Sequence, residues 1–276
     1  MPLYRPSELR DFLLSIDKNP LRFSSQRFLI DGNVVAKIVG HVIGKNVLEI
    51  GPGPGVLTEA LLQNGHKTVA VEKDPDFAKA LTRLSPELAV MHADILQCSL
   101  EAICHDHFPG DKISVVSNLP YHLTTPIIEW LLSFRHLFSK AILMVQKEAG
   151  YRLTAKKGGL LPLLLAYCGN LSLDFIVSKN SFWPKPSIDS AVIIFEPLPK
   201  PLLPEKEEQN FFKLLREIST HKRKTMLHQL STLLGRTQAL IVLEKAVISP
   251  QARPEELSLD AFLRLSSFVS LECVSQ

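Results

Sequence analysis

From residue 46 to residue 195, short apolar runs alternate with helix-period segments, and that alternation constrains the fold of this chain more than any other feature. Strands are expected at 46–50, 68–72, 88–91, 113–117 and 141–146, with helices at 56–63, 76–84, 126–133 and 160–168. Near-continuous apolar strands separated by helices argue for a parallel sheet covered on both faces. Asp31 reads as the N-cap of an earlier helix with Val34, Val35, Ile38, Val39, Val42 and Ile43 on one face. Thr125 and Pro126 read as the cap and first residue of the helix at 126–133. Two late strands, 172–177 and 191–195, flank a Pro-containing loop and suggest an antiparallel edge. Residues 1–30 read as an arm of mixed charge.

The pattern breaks at Pro197, Pro199, Pro201 and Pro204, which make a stiff linker. Beyond it the apolar residues recur only at helical spacing: Phe211, Leu214, Leu215 and Ile218, then Met226, Leu227, Leu230, Leu233 and Leu234, with further helices at 240–247 and 260–269. Two domains are expected, an α/β domain over 1–199 and a small all-helical domain over 200–276. The 276 residues suffice for that arrangement.

Chemistry concentrates at the C-terminal ends of the expected strands. Asn118-Leu119-Pro120-Tyr121 follows the apolar run 113–117. The Asn118 side chain offers a carbonyl acceptor. Pro120 lacks a donor and pushes Leu119 toward an extended conformation, which presents the Leu119 carbonyl as a second acceptor. Tyr121 supplies a stacking face. Two acceptors and an aromatic suit the amino group of a flat base, and they leave its lone pair free to attack. Gly51-Pro52-Gly53-Pro54-Gly55 joins the first strand to its helix, a G-x-G-x-G pattern distinct from the dinucleotide G-x-G-x-x-G. Glu72 ends the next strand, where an acid holds ribose hydroxyls. Asp94, at the end of the third strand, offers an acceptor for an adenine amino group or serves as a helix cap. Together they outline a nucleoside site along the carboxyl edge of a sheet.

The net charge of +3 does not announce a nucleic-acid binder, so contacts must come from clusters. Three are visible: Arg22 with Arg27; Lys147, Arg152, Lys156 and Lys157 around a lone Glu148; and His221-Lys222-Arg223-Lys224. Each alone reads equally as a solvated face. Beside a base-handling motif they point to RNA. Cys98, Cys104, Cys168 and Cys273 are irregularly spaced and form no C-x-x-C, which points to a reduced cytoplasmic protein. Cys98, Cys104, His105 and His107 match no common zinc spacing, so no metal is expected. No apolar run approaches a bilayer span, and the N-terminus lacks a signal-peptide core, so neither membrane nor export is expected.

These motifs resemble those of the bacterial small-subunit ribosomal RNA adenine dimethyltransferases, the dimethyladenosine transferases linked to kasugamycin sensitivity. The resemblance runs through Ser25-Gln26-Arg27-Phe28-Leu29-Ile30-Asp31, Leu48-Glu49-Ile50-Gly51-Pro52-Gly53, Asn118-Leu119-Pro120-Tyr121, Ser181-Phe182-Trp183-Pro184-Lys185-Pro186 with Asp189-Ser190-Ala191-Val192, and His221-Lys222-Arg223-Lys224-Thr225. It implies a Rossmann-like class I methyltransferase domain with a mostly parallel sheet. It implies S-adenosylmethionine as donor, and as substrate two adjacent adenosines in a hairpin loop near the 3′ end of 16S rRNA, in the small ribosomal subunit, each dimethylated at N6. By matching positions, Arg27, Leu29, Gly51, Gly53, Glu72, Asp94 and Asn118 form the donor pocket. Asn118, Leu119, Pro120, Tyr121 and Phe182 handle the target base. Lys147, Arg152, Lys156, Lys157, His221, Lys222, Arg223 and Lys224 meet RNA. A monomer is implied. Arg27 stands where the family usually has Asn, and Ser24-Ser25 replace Phe-Gly. Methylation of large-subunit 23S rRNA or DNA, a mainly non-catalytic assembly role, and a nicotinamide-dependent oxidoreductase are the competing readings; the glycine spacing disfavours the last.

Overall fold

A computed structural model describes residues 2–18, 27–155, 159–219 and 224–270. In chain order the elements are α1 (Pro6–Ser15), β1 (Phe28–Leu29), α2 (Gly32–Gly40), β2 (Asn46–Ile50), α3 (Val56–Gln63), β3 (Lys67–Glu72), α4 (Pro75–Leu81), β4 (Ala89–His92), α5 (Leu100–His107), β5 (Ile113–Asn118), α6 (Thr124–Ser133), β6 (Phe138–Gln146), α7 (Lys147–Thr154), α8 (Leu160–Cys168), β7 (Gly169–Val177), β8 (Phe182–Trp183), β9 (Ser190–Pro197), α9 (Glu205–Ser219), α10 (Met226–Leu234), α11 (Arg236–Lys245) and α12 (Leu259–Phe268). None of the described helices is long and apolar enough to cross a membrane.

The main sheet has seven strands in the order β4-β3-β2-β5-β6-β9-β7. Strands β4, β3, β2, β5 and β6 pair in parallel, and β9 runs antiparallel to β6. Every residue of β2 is buried, as a central strand covered on both faces requires. The two late strands sit at one edge as expected, β9 antiparallel to β6 and β7 outermost. The sheet reverses its winding between β2 and β5, and ligands of open α/β sheets bind at that crevice.

Local chemistry explains the helix starts. Asp31 caps α2 by accepting from the Asn33 and Val34 N–H groups, as expected. Asp74 caps α4 in the same way, with Pro75 in the first turn. The start of α6 differs from expectation: the helix begins at Thr124, after a short 3-10 turn over Tyr121–Leu123, and no side chain caps it. The Thr124 hydroxyl instead donates back to the Tyr121 carbonyl. The arm contains a helix its mixed composition concealed. In α1, Leu9 and Leu13 are fully buried against Phe28 and Phe77, whose rings meet edge to face at 5.9 Å.

Packing divides the chain at places other than the expected 199/200 break. Met1–Tyr151 with Leu171–Pro197 form one compact unit, and Arg152–Asn170 with Leu198–Gln276 the other. Thus α8, expected to serve the sheet, belongs with the C-terminal helices. The reason is aromatic: Tyr167 of α8 stacks on Phe211 of α9 at 4.7 Å and meets Phe212 edge-on at 5.1 Å. Within this second unit Thr225 caps α10 and Ser258 caps α12.

Candidate active site

The strand ends of the first unit surround a cavity of about 540 Å³, a size suited to one small-molecule ligand. Arg27, Leu29, Gly51, Gly53, Glu72, Asp94, Asn118, Leu119, Pro120 and Tyr121 all line it. The loops after β4, β3, β2 and β5, which end side by side, supply all but Arg27 and Leu29, which come from the arm at β1.

The glycine loop is folded as tightly as its sequence suggests. Gly51, Gly53 and Gly55 have φ of 63°, 56° and 94°, a region that disfavours side chains. A Cβ at Gly51 would meet nothing within 4 Å, so the backbone there leaves room for a ligand. Glu72 pins this loop. Its Oε2 accepts the Gly53 N–H at 2.8 Å and its Oε1 accepts the Asp74 N–H at 2.8 Å. Burial raises the Glu72 pKa, and those backbone donors oppose the rise. Asp94 caps the short turn after β4 through the Leu96 N–H at 3.1 Å and pairs with Lys73 at 2.7 Å. The Lys73 hydrogen bond is the main reason its carboxyl is held below the ordinary range.

Asn118 ends β5 with its amide oriented. Its Nδ2 donates to the Arg27 carbonyl at 3.1 Å, which leaves Oδ1 as the acceptor without a partner among the described residues. The Leu119 N–H is anchored on the Met144 carbonyl at 3.0 Å. Tyr121 is tethered through its hydroxyl to Ser190 of β9 at 3.2 Å. At Arg27 the contact with Asn118 uses a backbone carbonyl, which any residue supplies.

Phe182 is a correction. It is 3% exposed, packs in an apolar core cluster with Leu29, Val177 and Val192, and is not among the residues lining the cavity. The cause is pairing: β8 lies antiparallel to β1, with Phe182 opposite Leu29 and Trp183 opposite Phe28. Alternation along that short ladder turns Phe182 inward. The basic clusters are only partly visible. Arg22, Lys156, Lys157, His221, Lys222 and Arg223 lie outside the described residues, whereas Arg152 and Lys224 are exposed. Lys147 is half-buried and sits 3.8 Å from the Asp189 carboxylate, so it is partly neutralised.

Several contributors were missed from sequence. Lys18 bridges Asp74 at 2.6 Å and Asp76 at 2.9 Å, tying the arm to the turn that Glu72 holds. The Asp74-Pro75 cap signal was present in the sequence; the Lys18 contact had none. Ser190 lay inside a quoted motif, but its partner is sixty-nine residues away. Glu49, 1% exposed at the base of the cavity, is pushed up to about 8, chiefly by burial, with Glu72 adding to the rise and Thr58 opposing it. A carboxyl raised in the native state destabilises the fold as pH climbs from its ordinary value toward the raised one. Melting curves should therefore show Glu49→Gln gaining on the parent protein between pH 5 and pH 8.5, by roughly 5 °C at the upper end. A gap that does not widen with pH would remove Glu49 as the cause.

Comparison with known proteins decides the kinship. The sequence pattern of the ribosomal RNA adenine dimethylases matches residues 18–270. This chain belongs to that family. It is 41% identical to the ribosomal RNA small subunit methyltransferase A of Protochlamydia amoebophila, over 96% of both chains. Identity to the protein of that name from Ligilactobacillus salivarius is 38%, over 87% of each. The solved dimethyladenosine transferase of Plasmodium falciparum superposes with a TM-score of 0.70 at 25% identity, covering 86% of this chain and 95% of that one. As a member of the family the chain has the Rossmann-like methyltransferase fold implied by its motifs, with the sheet order just described.

Proposed function

We propose that this chain transfers methyl groups from S-adenosylmethionine to N6 of two adjacent adenosines in a hairpin loop near the 3′ end of 16S rRNA, within the small ribosomal subunit or its precursor. The observation that carries the reading is the orientation of Asn118 by the Arg27 carbonyl, which aims a side-chain acceptor at the cavity. The donor fits the residues present: Asp94 for the adenine amino group, Glu72 for the ribose, and an open glycine turn at Gly51 for close approach of the remainder.

When bound, the donor supplies an electrophilic methyl on a positively charged sulfur. The chain's task is to position the nucleophile, an effect worth up to roughly 7–11 kcal/mol. Asn118 Oδ1 and the Leu119 carbonyl accept from N6 and turn its lone pair toward the methyl. Tyr121, fixed by Ser190, stacks against one face of the base. The proton leaves a cationic amine after transfer, so no strong base has to stand beside N6. An adenosine in a loop is already largely unstacked, which lowers the cost of drawing it into the cavity.

The helical unit and the basic segment 221–224 are assigned to RNA in this reading, the protein acts as a monomer, and the cytoplasm is its compartment. Neutralising Lys222, Arg223 and Lys224 together should lower the slope of log affinity against log salt by about 2, as expected for three lost single-strand phosphate contacts. An unchanged slope returns the cluster to a solvated face. The function itself is tested with labelled donor offered unmethylated small-subunit particles, naked large-subunit rRNA and duplex DNA. Label in N6,N6-dimethyladenosine of the small-subunit RNA is the expected outcome; label elsewhere overturns the assignment.

A further inference from the structure

Lys18 is not among the residues lining the cavity, and the reading above gives it no task. It follows α1 directly. Asp17 turns the chain at a φ of 57°, and the Lys18 N–H donates to the Leu13 carbonyl at 2.9 Å, so the turn that delivers Lys18 is fixed by the end of the helix. Helix α1 is itself held at three places. The Leu3 N–H donates to Glu59 Oε2 of α3 at 2.8 Å, Leu9 and Leu13 are buried against Phe28 and Phe77, and Lys18 Nζ reaches Asp74 and Asp76. The N-terminal segment thus reaches from the helix after the glycine loop to the turn after β3.

The Lys18 side chain is 13% exposed, so its charge is screened less than that of a surface lysine. The ammonium lies 5.1 Å from the centre of the Phe77 ring and pairs with Asp74 Oδ2 at 2.6 Å and Asp76 Oδ2 at 2.9 Å. Asp74 passes this contact on. Its Oδ1 accepts the Asp76 and Phe77 N–H groups, and its own N–H donates to Glu72 Oε1. Glu72 Oε2 in turn holds the Gly53 N–H. A second route reaches the same glycine. Phe77, beneath the ammonium, meets Phe28 edge to face, and the Phe28 ring lies 3.6 Å from where a Cβ on Gly53 would sit. We propose that Lys18 is a positioning residue for donor binding: by fixing Asp74 it fixes the Glu72 carboxylate in the orientation that receives the ribose hydroxyls. The inference rests on S-adenosylmethionine occupying the cavity as proposed. Without the ammonium, the Asp74 and Asp76 carboxylates face each other with no cation from Lys18 between them, and the turn that supports Glu72 loses its anchor on the arm. Orientation through a supporting residue is worth about three- to tenfold in donor affinity.

Calorimetry on the full chain tests this, at a temperature where melting curves show each variant folded. Lys18→Met keeps an apolar stem and removes the charge. It should weaken S-adenosylmethionine, S-adenosylhomocysteine and 5′-methylthioadenosine by one common factor, about three- to tenfold, because all three present the ribose. Lys18→Arg, which keeps the charge, should bind closer to the parent than Lys18→Met does. Asp74→Asn retains an oxygen to cap α4 and loses the ion pair, so it should cost about as much as Lys18→Met, and the double variant no more than either alone. Parent-like affinity in folded Lys18→Met overturns the inference. So does a loss confined to the two ligands that carry the amino-acid end, equal losses in the Met and Arg variants, or additive losses in the double variant. If Lys18→Met fails to fold, Asp74→Asn decides by the same comparison of the three ligands. A parent protein that binds none of them removes the placement of the donor, and this inference with it; a parent that binds and variants that match it leave that placement standing and overturn this inference alone.

Discussion

Asn118→Ala is expected to lower kcat by roughly 10²–10³-fold, the range for removal of one preorganised hydrogen-bonding group at a reacting centre. Donor affinity should stay within about threefold, because in the function proposed above the deleted carboxamide serves the incoming N6, and the Glu72-pinned loop is untouched. The Leu119 carbonyl remains, since its N–H is still anchored on Met144, and this accounts for residual turnover. Single-turnover methylation and calorimetry on the same preparation separate the two quantities. Equal loss of binding and turnover would mean that Asn118 acts mainly by fastening the arm through Arg27.

Gly55→Ala is expected to destabilise the sheet unit by about 2–4 kcal/mol, combining a left-handed backbone with overpacking. The added methyl would sit 2.7 Å from Leu84 Cδ1 and 2.8 Å from Leu81 Cδ2, at a φ of 94°. Both neighbours belong to packed apolar surface beneath the loop, and Leu81 is fully buried, so relaxation is limited. Thermal melting should fall by roughly 5–10 °C. Gly51→Ala shares the backbone strain but meets no neighbour within 4 Å, so its smaller shift isolates the packing contribution. Equal shifts for the two variants would show that backbone strain alone sets the cost.

The strand ends were legible because near-continuous apolar runs and glycine turns are local signals. Gly51, Glu72, Asp94 and Asn118 each fall at the end of an apolar run, and a parallel sheet must gather such ends on one edge. Residues 160–168 misled for a physical reason. An apolar helix carries no mark of which core it joins, and α8 is claimed by Phe211 and Phe212, far along the chain. Phe182 misled in the same way: its aromatic character suggested a stacking face, whereas pairing with Leu29 turned it into the core. Helix α1 was hidden because its buried stripe is narrow, essentially Leu9 and Leu13.

By itself the sequence determined the class of sheet, the loops that line the cavity and the kinship, since all three rest on residue types at fixed local spacing. The tertiary structure alone decided the insertion of β9 between β6 and β7, the transfer of α8 to the helical unit, and the use of the Arg27 backbone to aim Asn118. It also decided that Glu49 is buried beside Glu72 with an oxygen unmatched. Those features depend on which distant surfaces exclude water together, and no local pattern encodes that.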